Sequence, residues 1–396
     1  MDSRGPDAVA GWAATGAMWL TGHPDGPPLS PPWAVVPALE AATGTGLPEL
    51  GEVLTGRAAL LGLGRQGRTS ANGTCRLLES ADGWVALNLA RPSDVEALGA
   101  LFERAVDDDP WAVAARAATR IAAQDLVDRA ELLGVPAAVV PPRPRPAGGE
   151  PFHLRRQGEA RPGAPRPLLV VDLSAMWAGP LCARLLGRAG HRVVKVESTR
   201  RPDGARGGHP RFFDWLHHGH PSVALDFGSP SGRTALAQLV ARADVVIESS
   251  RPRAVAQLGI DAEAVVARRP GTTWVSITGY GRASNRVAFG DDAAAAAGLV
   301  ARDDDGLPVF CADAIADPIT GLYAAVGALT SIAAGGGHLV DAPMVDAVAA
   351  TLTTPAAPTP DAPVARPRLP APTPPARPLG ADTATVLAEP AAATPC

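Results

Sequence analysis

The sequence predicts an α/β protein: a Rossmann-like, doubly wound parallel sheet with a second, smaller α+β domain. Three observations carry this. Residues 168–197 read strand, tight turn, helix, strand. Strands then keep alternating with helical stretches as far as about residue 345, the pattern of a parallel sheet. Residues 82–140 hold a strand, three helical stretches and a closing apolar run, set apart by the proline-rich stretch that follows.

Each element has a local reason. Leu168-Leu169-Val170-Val171-Asp172-Leu173 is a continuous apolar run, as expected of a strand covered on both faces. Ser174 to Gly179 form the connection, and Pro180 sits where a first-turn helix proline belongs. Leu181, Leu185 and Leu186 recur at helical spacing, and Gly190 fits the position past the helix end. Residues 191–197 are the next strand, which completes a right-handed βαβ unit. Strands are also expected at 84–89, 222–226, 244–248, 273–277 and 338–342. Helices are expected at 12–20, 95–104, 110–118, 122–133, 231–243, 261–268 and 291–299, and from Asp317 to about Ala333. Asp317 followed by Pro318 reads as an N-cap and a first-turn proline. Residues 60–73 are glycine-rich and read either as a hairpin connection or as a mobile lid. Beyond Thr353 the chain is Pro/Ala/Thr-rich and expected to be extended, with one closing helix at 379–389.

The expected organisation is therefore four segments. Residues 1–145 carry a degenerate partial repeat and the small α+β domain with its glycine-rich loop. Residues 146–166 are a linker, 167–350 the Rossmann-like domain, and 351–396 the Pro/Ala-rich tail. The repeat rests on an echo: Ala13 to Gly16 leading to Asp25-Gly26 resembles Ala295 to Gly298 leading to Asp305-Gly306.

Composition narrows the function classes. The 396 residues carry a net charge of −4, which argues against nucleic acid as the main partner. No apolar run approaches the length of a membrane span, and the N-terminus makes a poor signal peptide. Four scattered cysteines (Cys75, Cys182, Cys311, Cys396) fit neither a metal site nor a disulfide framework, so a cytoplasmic location is expected.

A doubly wound sheet binds ligands beyond the carboxyl ends of its strands, here residues 174–179, 198–201, 249–253 and 278–281. The 174–179 turn lacks a G-x-G-x-x-G pattern, and Met176 and Trp177 fill the space a pyrophosphate would need, which argues against a dinucleotide. Arg200, Arg201, Arg251 and Arg253 sit at strand ends and read either as surface arginines or as phosphate ligands. Asp317 is the candidate for reactive work: a helix N-terminus keeps a carboxylate ionised and offers N–H groups to a developing oxyanion. Its plain alternative is an N-cap. Asp291-Asp292 is the second candidate, with solvated surface acids as the alternative.

These residues together resemble the class III CoA-transferases, the CaiB/BaiF family. The resemblance runs through Val171 to Ser174, Ala178-Gly179-Pro180, Val193 to Glu197, Ser222 to Asp226 and Ala243 to Glu248. It continues through Arg251-Pro252, Ser276 to Gly281, Ala316-Asp317 with Thr320 to Ala325, and His338 to Asp341. It implies an enzyme (EC 2.8.3-type) that moves CoA between an acyl-CoA thioester and a small carboxylic acid through an aspartyl-CoA intermediate. It implies no cofactor beyond the CoA substrate, no metal, and an interlocked homodimer. On the resemblance Asp317 is the nucleophile, with Asp291, Asp292 and the lid glycines Gly64 and Gly67 in possible support. CoA falls to Trp177, Ala178, Glu197, Ser249, Ser250, Arg251 and Arg253.

Three departures stand against the family pattern. The small domain precedes the βαβ half instead of following the catalytic helix. His218-Gly219-His220-Pro221-Ser222 replaces an Asn-Lys-Arg-Ser run. Ser249-Ser250 replaces Asn-Phe. Two alternatives stay open: an acyl-CoA racemase or epimerase of the same superfamily, which carries a histidine near Asp291, and a catalytically inactive CoA-binding protein.

Overall fold

The computed structural model describes residues 8–106, 109–142, 149–163, 167–356 and 362–389. The chain forms two compact units. The first comprises residues 1–151, 286–319 and 344–370; the second comprises 152–285, 320–343 and 371–396. The sequence-based division at 145 and 167 follows chain order, whereas the units are interleaved: 286–319 pack with the N-terminal third.

The first unit opens with helices Ala8–Ala14, Val35–Thr43 and Leu47–Leu61. The last two lie outside the expected set, because their glycines and prolines mask the apolar spacing. Strands β1 (Cys75–Glu79), β2 (Trp84–Asn88) and β3 (Ala137–Val140) form an antiparallel sheet in that order. Leu78, Val85 and Leu87 face the helices Pro110–Ala118 and Ala123–Leu133 in one apolar core. Asp109 opens the first of these helices by accepting from the N–H groups of Trp111 and Ala112.

The second unit is mixed α/β around a mostly parallel seven-stranded sheet. Its strands are β4 (His153–Arg156), β5 (Leu169–Asp172), β6 (Arg192–Ser198), β7 (Ser222–Leu225), β8 (Val245–Glu248) and β9 (Thr273–Thr278). The chain then returns to the first unit for a hairpin, β10 (Val300–Arg302) with β11 (Pro308–Phe310), around the acidic turn at 303–306. Strand β12 (His338–Pro343) completes the large sheet, in the order β4-β12-β9-β8-β5-β6-β7. All its pairings are parallel except β4 with β12. Residues 153–156, expected as linker, therefore form the antiparallel edge strand. Exposed on both faces, β4 carries no apolar signal for a sequence reading to find.

Strands β5, β8 and β9 are buried on both faces, with Val171, Val246 and Trp274 in the core that underlies the sheet. At the β7 edge the C-terminal helix Thr383–Ala388 closes the sheet. Ser222 N–H donates to Asp382 Oδ2 (2.9 Å) and Ala224 N–H to Thr383 Oγ1 (3.0 Å), so strand N–H groups that would face solvent are covered. Among the described residues no helix is long and apolar enough to cross a membrane. Cys75, Cys182 and Cys311 are buried and unbridged, and Cys396 lies outside the described residues.

Candidate active site

Helix Ala316–Ala333 begins one residue earlier than its Asp-Pro signal suggests. Asp317 is therefore in its first turn and not ahead of it. The turn at 312–315 leads directly into the helix, and Asp317 N–H donates to Ala314 O (2.9 Å). Pro318 has no N–H, and Ile319 N–H reaches Ile315 O at 3.4 Å. The N–H groups expected to be free for an oxyanion are thus engaged at 317 and 319 and missing at 318. What remains is the positive end of the helix dipole.

The turn that leads to Asp317 is strained. Ala312 and Ala314 have φ of 55° and 41°, a region that costs an L-residue about 1–2 kcal/mol. Two bonds hold it: Ala312 N–H donates to Thr21 Oγ1 (3.1 Å) and Ala314 N–H to Asp291 Oδ1 (2.9 Å). Asp313 between them is fully buried, and Arg57 of helix Leu47–Leu61 donates to both its oxygens at 2.7 Å.

Helix Gly290–Ala297 brings Asp291 and Asp292 to the same place. Asp291 Oδ2 accepts from Asn72 Nδ2 (3.1 Å). Asp292 Oδ1 accepts from Asn88 Nδ2 (2.9 Å) and Phe289 N–H (3.0 Å), and its Oδ2 is buried without a hydrogen-bond partner. Gly290 lies against Asp317: a β-carbon there would collide with Asp317 Oδ2 and Ala314 O.

Four aspartates thus gather here, and three of them, Asp313, Asp291 and Asp317, act on Arg57. Asp291, Asp292 and Asp313 are buried, and Asp317 keeps part of its surface. Burial is the largest influence on each and favours the neutral acid. It pushes Asp317 up to about 7 against the pull of Arg57, with Asp291, Asp313 and Asp292 adding to the rise. Asp292 is pushed up to about 7 and Asp291 to about 6. An Asp317 ionised as a free aspartate would be is therefore not what this environment gives.

The glycine-rich stretch before β1 is anchored. Gly67 N–H donates to Gly22 O (2.8 Å), its carbonyl accepts from Phe310 N–H (3.0 Å), and its φ of 64° sets it against the His23 ring, where no β-carbon fits. Asn72 ties the same stretch to Asp291. A β-carbon at Gly64 would meet nothing within 4 Å.

In the second unit the expected CoA positions divide. Trp177, Ala178 and Glu197 are buried. Trp177 packs edge-on against Phe212, with centroids 5.5 Å apart. Glu197 accepts from Arg206 Nε (2.9 Å) and Nη2 (2.6 Å) and from Asp203 N–H (3.0 Å). These three residues, on which the family resemblance places CoA, are thus packed into the interior of this unit. Ser249, Arg251 and Arg253 are exposed at the carboxyl end of β8, and Ser250 is half-buried there. Ser250 N–H donates to Glu248 Oε2 (2.8 Å), and Ser249 Oγ accepts from Ala175 N–H (3.2 Å). Among the described residues no group of three or more His, Cys, Asp or Glu is placed to hold a metal ion.

Sequence reasoning missed Arg57, Asn72, Asn88 and Asp313. Each is an ordinary polar residue in its local window, and its part in the cluster comes from contacts across 204 to 256 positions.

In sequence the chain is similar to curated CoA-transferases. A succinyl-CoA–D-citramalate CoA-transferase of Chloroflexus aurantiacus is 28% identical over 207 residues, 48% of this chain and 52% of that one. A succinyl-CoA:glutarate CoA-transferase of Mus musculus is 30% identical over 204 residues, 48% and 47% of the two chains. A crystal structure of a CaiB/BaiF family protein from Brucella suis aligns with a TM-score of 0.42 at 28% identity, covering 48% of this chain and 55% of that one. The chain spans about half the length of the curated relatives it matches. The family model of the class III CoA-transferases matches residues 167–377, more than half of the sequence and inclusive of Asp317, and the chain belongs to CoA-transferase family III.

Proposed function

We propose that the protein transfers CoA from an acyl-CoA thioester to a carboxylic acid through a covalent intermediate on Asp317. The observation that carries this reading is that Asp317, alone of the four clustered aspartates, keeps part of its surface. Asp291 and Asp292 have their oxygens turned inward to Ala314, Asn72, Asn88 and Phe289, or buried without a partner. That arrangement gives less support to an acid/base pair across a substrate α-carbon, as an epimerase would need.

The chemistry balances without a redox step or a net proton. A carboxylate oxygen of Asp317 attacks the thioester carbonyl, the C–S bond breaks, and CoA leaves as the thiolate from a mixed anhydride. The thiolate attacks the Asp317 carbonyl and expels the first carboxylate, which leaves an aspartyl-CoA thioester. The acceptor carboxylate attacks that carbonyl, expels the thiolate and forms a second anhydride. Attack of the thiolate on the acceptor's carbonyl forms the new acyl-CoA and frees Asp317. The exposed arginines Arg251 and Arg253 suit the phosphates of CoA. We take a homodimer as part of this reading.

The raised pKa of Asp317 has a use here. A more basic carboxylate is the better nucleophile once ionised, and at about 7 a substantial fraction is ionised near neutrality. The decisive experiment is mass spectrometry after incubation with a panel that includes succinyl-CoA and formyl-CoA, followed by hydroxylamine. Asp317 should be modified in the wild type and not in Asp317→Asn. Label on Asp291 or Asp292 would move the site. CoA binding with no label from any thioester would leave a binding protein.

A further inference from the structure

The second unit buries one cation at the carboxyl end of β5. Lys195, the one lysine among 36 Lys and Arg residues, is 1% exposed. Its Nζ donates to Ser174 O and, at 2.9 Å, to Asp203 Oδ2, and lies 3.5 Å from Asp172 Oδ2. All three partners act on the turn from β5 into helix Ala178–Arg188. Asp172 Oδ1 accepts from the Ser174 N–H and hydroxyl. Asp203 Oδ1 accepts from Met176 N–H (3.0 Å).

Met176 is the unusual residue of this turn. Its φ is 73°, which an L side chain rarely adopts, and its side chain is 46% exposed where apolar groups nearby are buried. A residue in that region persists because its surroundings over-determine it. Here the surroundings are Asp203 and, behind it, Lys195. On the other side of the turn, Ala175 N–H meets Ser249 Oγ after β8. From β5 the chain runs to β6 and β7 on one side, then to β8 and β9 on the other. The order reverses between β5 and β8, and such a crevice is where a doubly wound sheet takes its ligand.

We propose that Lys195, acting through Asp203 and Ser174, is a positioning residue that fixes the turn at 174–177 so that Met176 is presented to the CoA portion of the substrate. The proposal rests on the acyl-CoA reading above. An ammonium suits this role because it directs its donors from one point, at Ser174 O and Asp203 Oδ2 with the Asp172 carboxylate 3.5 Å away, whereas a guanidinium spreads its donors over a planar fork. Burial alone would drive Lys195 toward the neutral amine; Asp172 and Asp203 more than reverse this and keep it charged. Without that charge Asp203 loses the partner that aims it at Met176, and the turn is free to relax toward negative φ.

The test reads the turn and the ligand separately, without turnover. The sequence has four methionines, Met1, Met18, Met176 and Met344, so a methyl-labelled spectrum is simple. In Lys195→Gln we expect the Met176 methyl resonance to move while Met18 and Met344 hold. Calorimetry should show CoA binding weakened roughly tenfold, the scale of one charge-assisted contact. Lys195→Arg should fall between the wild type and Lys195→Gln. If Lys195→Gln does not fold, Asp203→Asn replaces it, since it keeps an acceptor for Met176 but turns an amide toward Nζ. A Met176 signal that stays put, or one that moves with CoA affinity unchanged, overturns the proposal and leaves Lys195 a stabilising residue. A wild type that does not bind CoA removes the substrate reading and this proposal with it. A wild type that binds, with unchanged variants, removes this proposal alone.

Discussion

Each unit buries a cluster of charge, and the two are built to opposite ends. In the first, Arg57 faces Asp313, Asp291 and Asp317, and Asp292 lies among these acids, so carboxyls of the cluster outnumber the cation four to one. Burial and mutual repulsion push three of them up to about 6 or 7. In the second, Lys195 faces Asp172 and Asp203 at close range, and Asp203 also accepts from Met176 and Ala205. Burial would raise Asp203, but Lys195 and these bonds hold it below the ordinary range. The second cluster is nearer to balance, although burial still pushes Asp172 up and its Oδ2 has no hydrogen bond, and it fixes a backbone turn. The first is under-compensated, with groups poised to change charge near neutral pH and one of these residues, Asp317, partly exposed. Surplus charge left in place is a cost to stability, and such sites are candidates for chemistry.

Changes that break this contrast differ in size. The largest effect is expected from Asp317→Asn, which removes the proposed nucleophile while keeping its shape. Transfer should fall by several orders of magnitude with the fold and CoA binding intact, as steady-state kinetics beside calorimetry would show. An active Asp317→Asn protein would make the first cluster structural, like the second.

Arg57→Met should come next. It strips the first cluster of its cation and leaves Asp313 buried and unpaired, at a cost of about 3–5 kcal/mol in a urea unfolding curve. Gly290→Ala drives a β-carbon into Asp317 Oδ2 and Ala314 O. Overpacking should cost about 1–3 kcal/mol, and a displaced carboxylate should lower turnover roughly a hundredfold.

The pH responses sharpen the comparison further. Asp291, Asp292 and Asp317 bind protons more tightly folded than unfolded. The stability they confer is present at low pH and is lost as pH rises from about 4 through 7. Asp292→Asn keeps the acceptor for Asn88 and removes a charge. It should flatten this decline, each tenfold of extra proton affinity that Asp292 gains on folding being worth about 1.4 kcal/mol. The proposed transfer runs the other way, since it calls for an ionised Asp317, and its rate should climb through about pH 7. A rate flat between pH 5 and 8 would refute the poised cluster. The smallest effect is on assembly: sedimentation should show a dimer at micromolar concentration, and a monomer would remove that part of the proposal.

The sequence by itself determined the parallel core. The apolar run of β5, Pro180 in the first turn of its helix and Gly190 past the end, at φ 89°, are signals carried by residues that are neighbours in the chain. Asp317-Pro318 marked the beginning of its helix within one residue for the same reason. Tertiary structure decided the rest. Arg57 meets Asp313 across 256 positions, β4 is a strand because β12 offers it an edge, and Glu197 is occupied because Arg206 folds back on it. Above all, the protonation of Asp317 was not legible. A free aspartate's affinity for protons is a property of the residue, but the rise to about 7 comes from lost water and three distant carboxyls. Periodicity and capping act over a few bonds and are written locally. Desolvation and charge act through space, so they exist once the fold has chosen the neighbours.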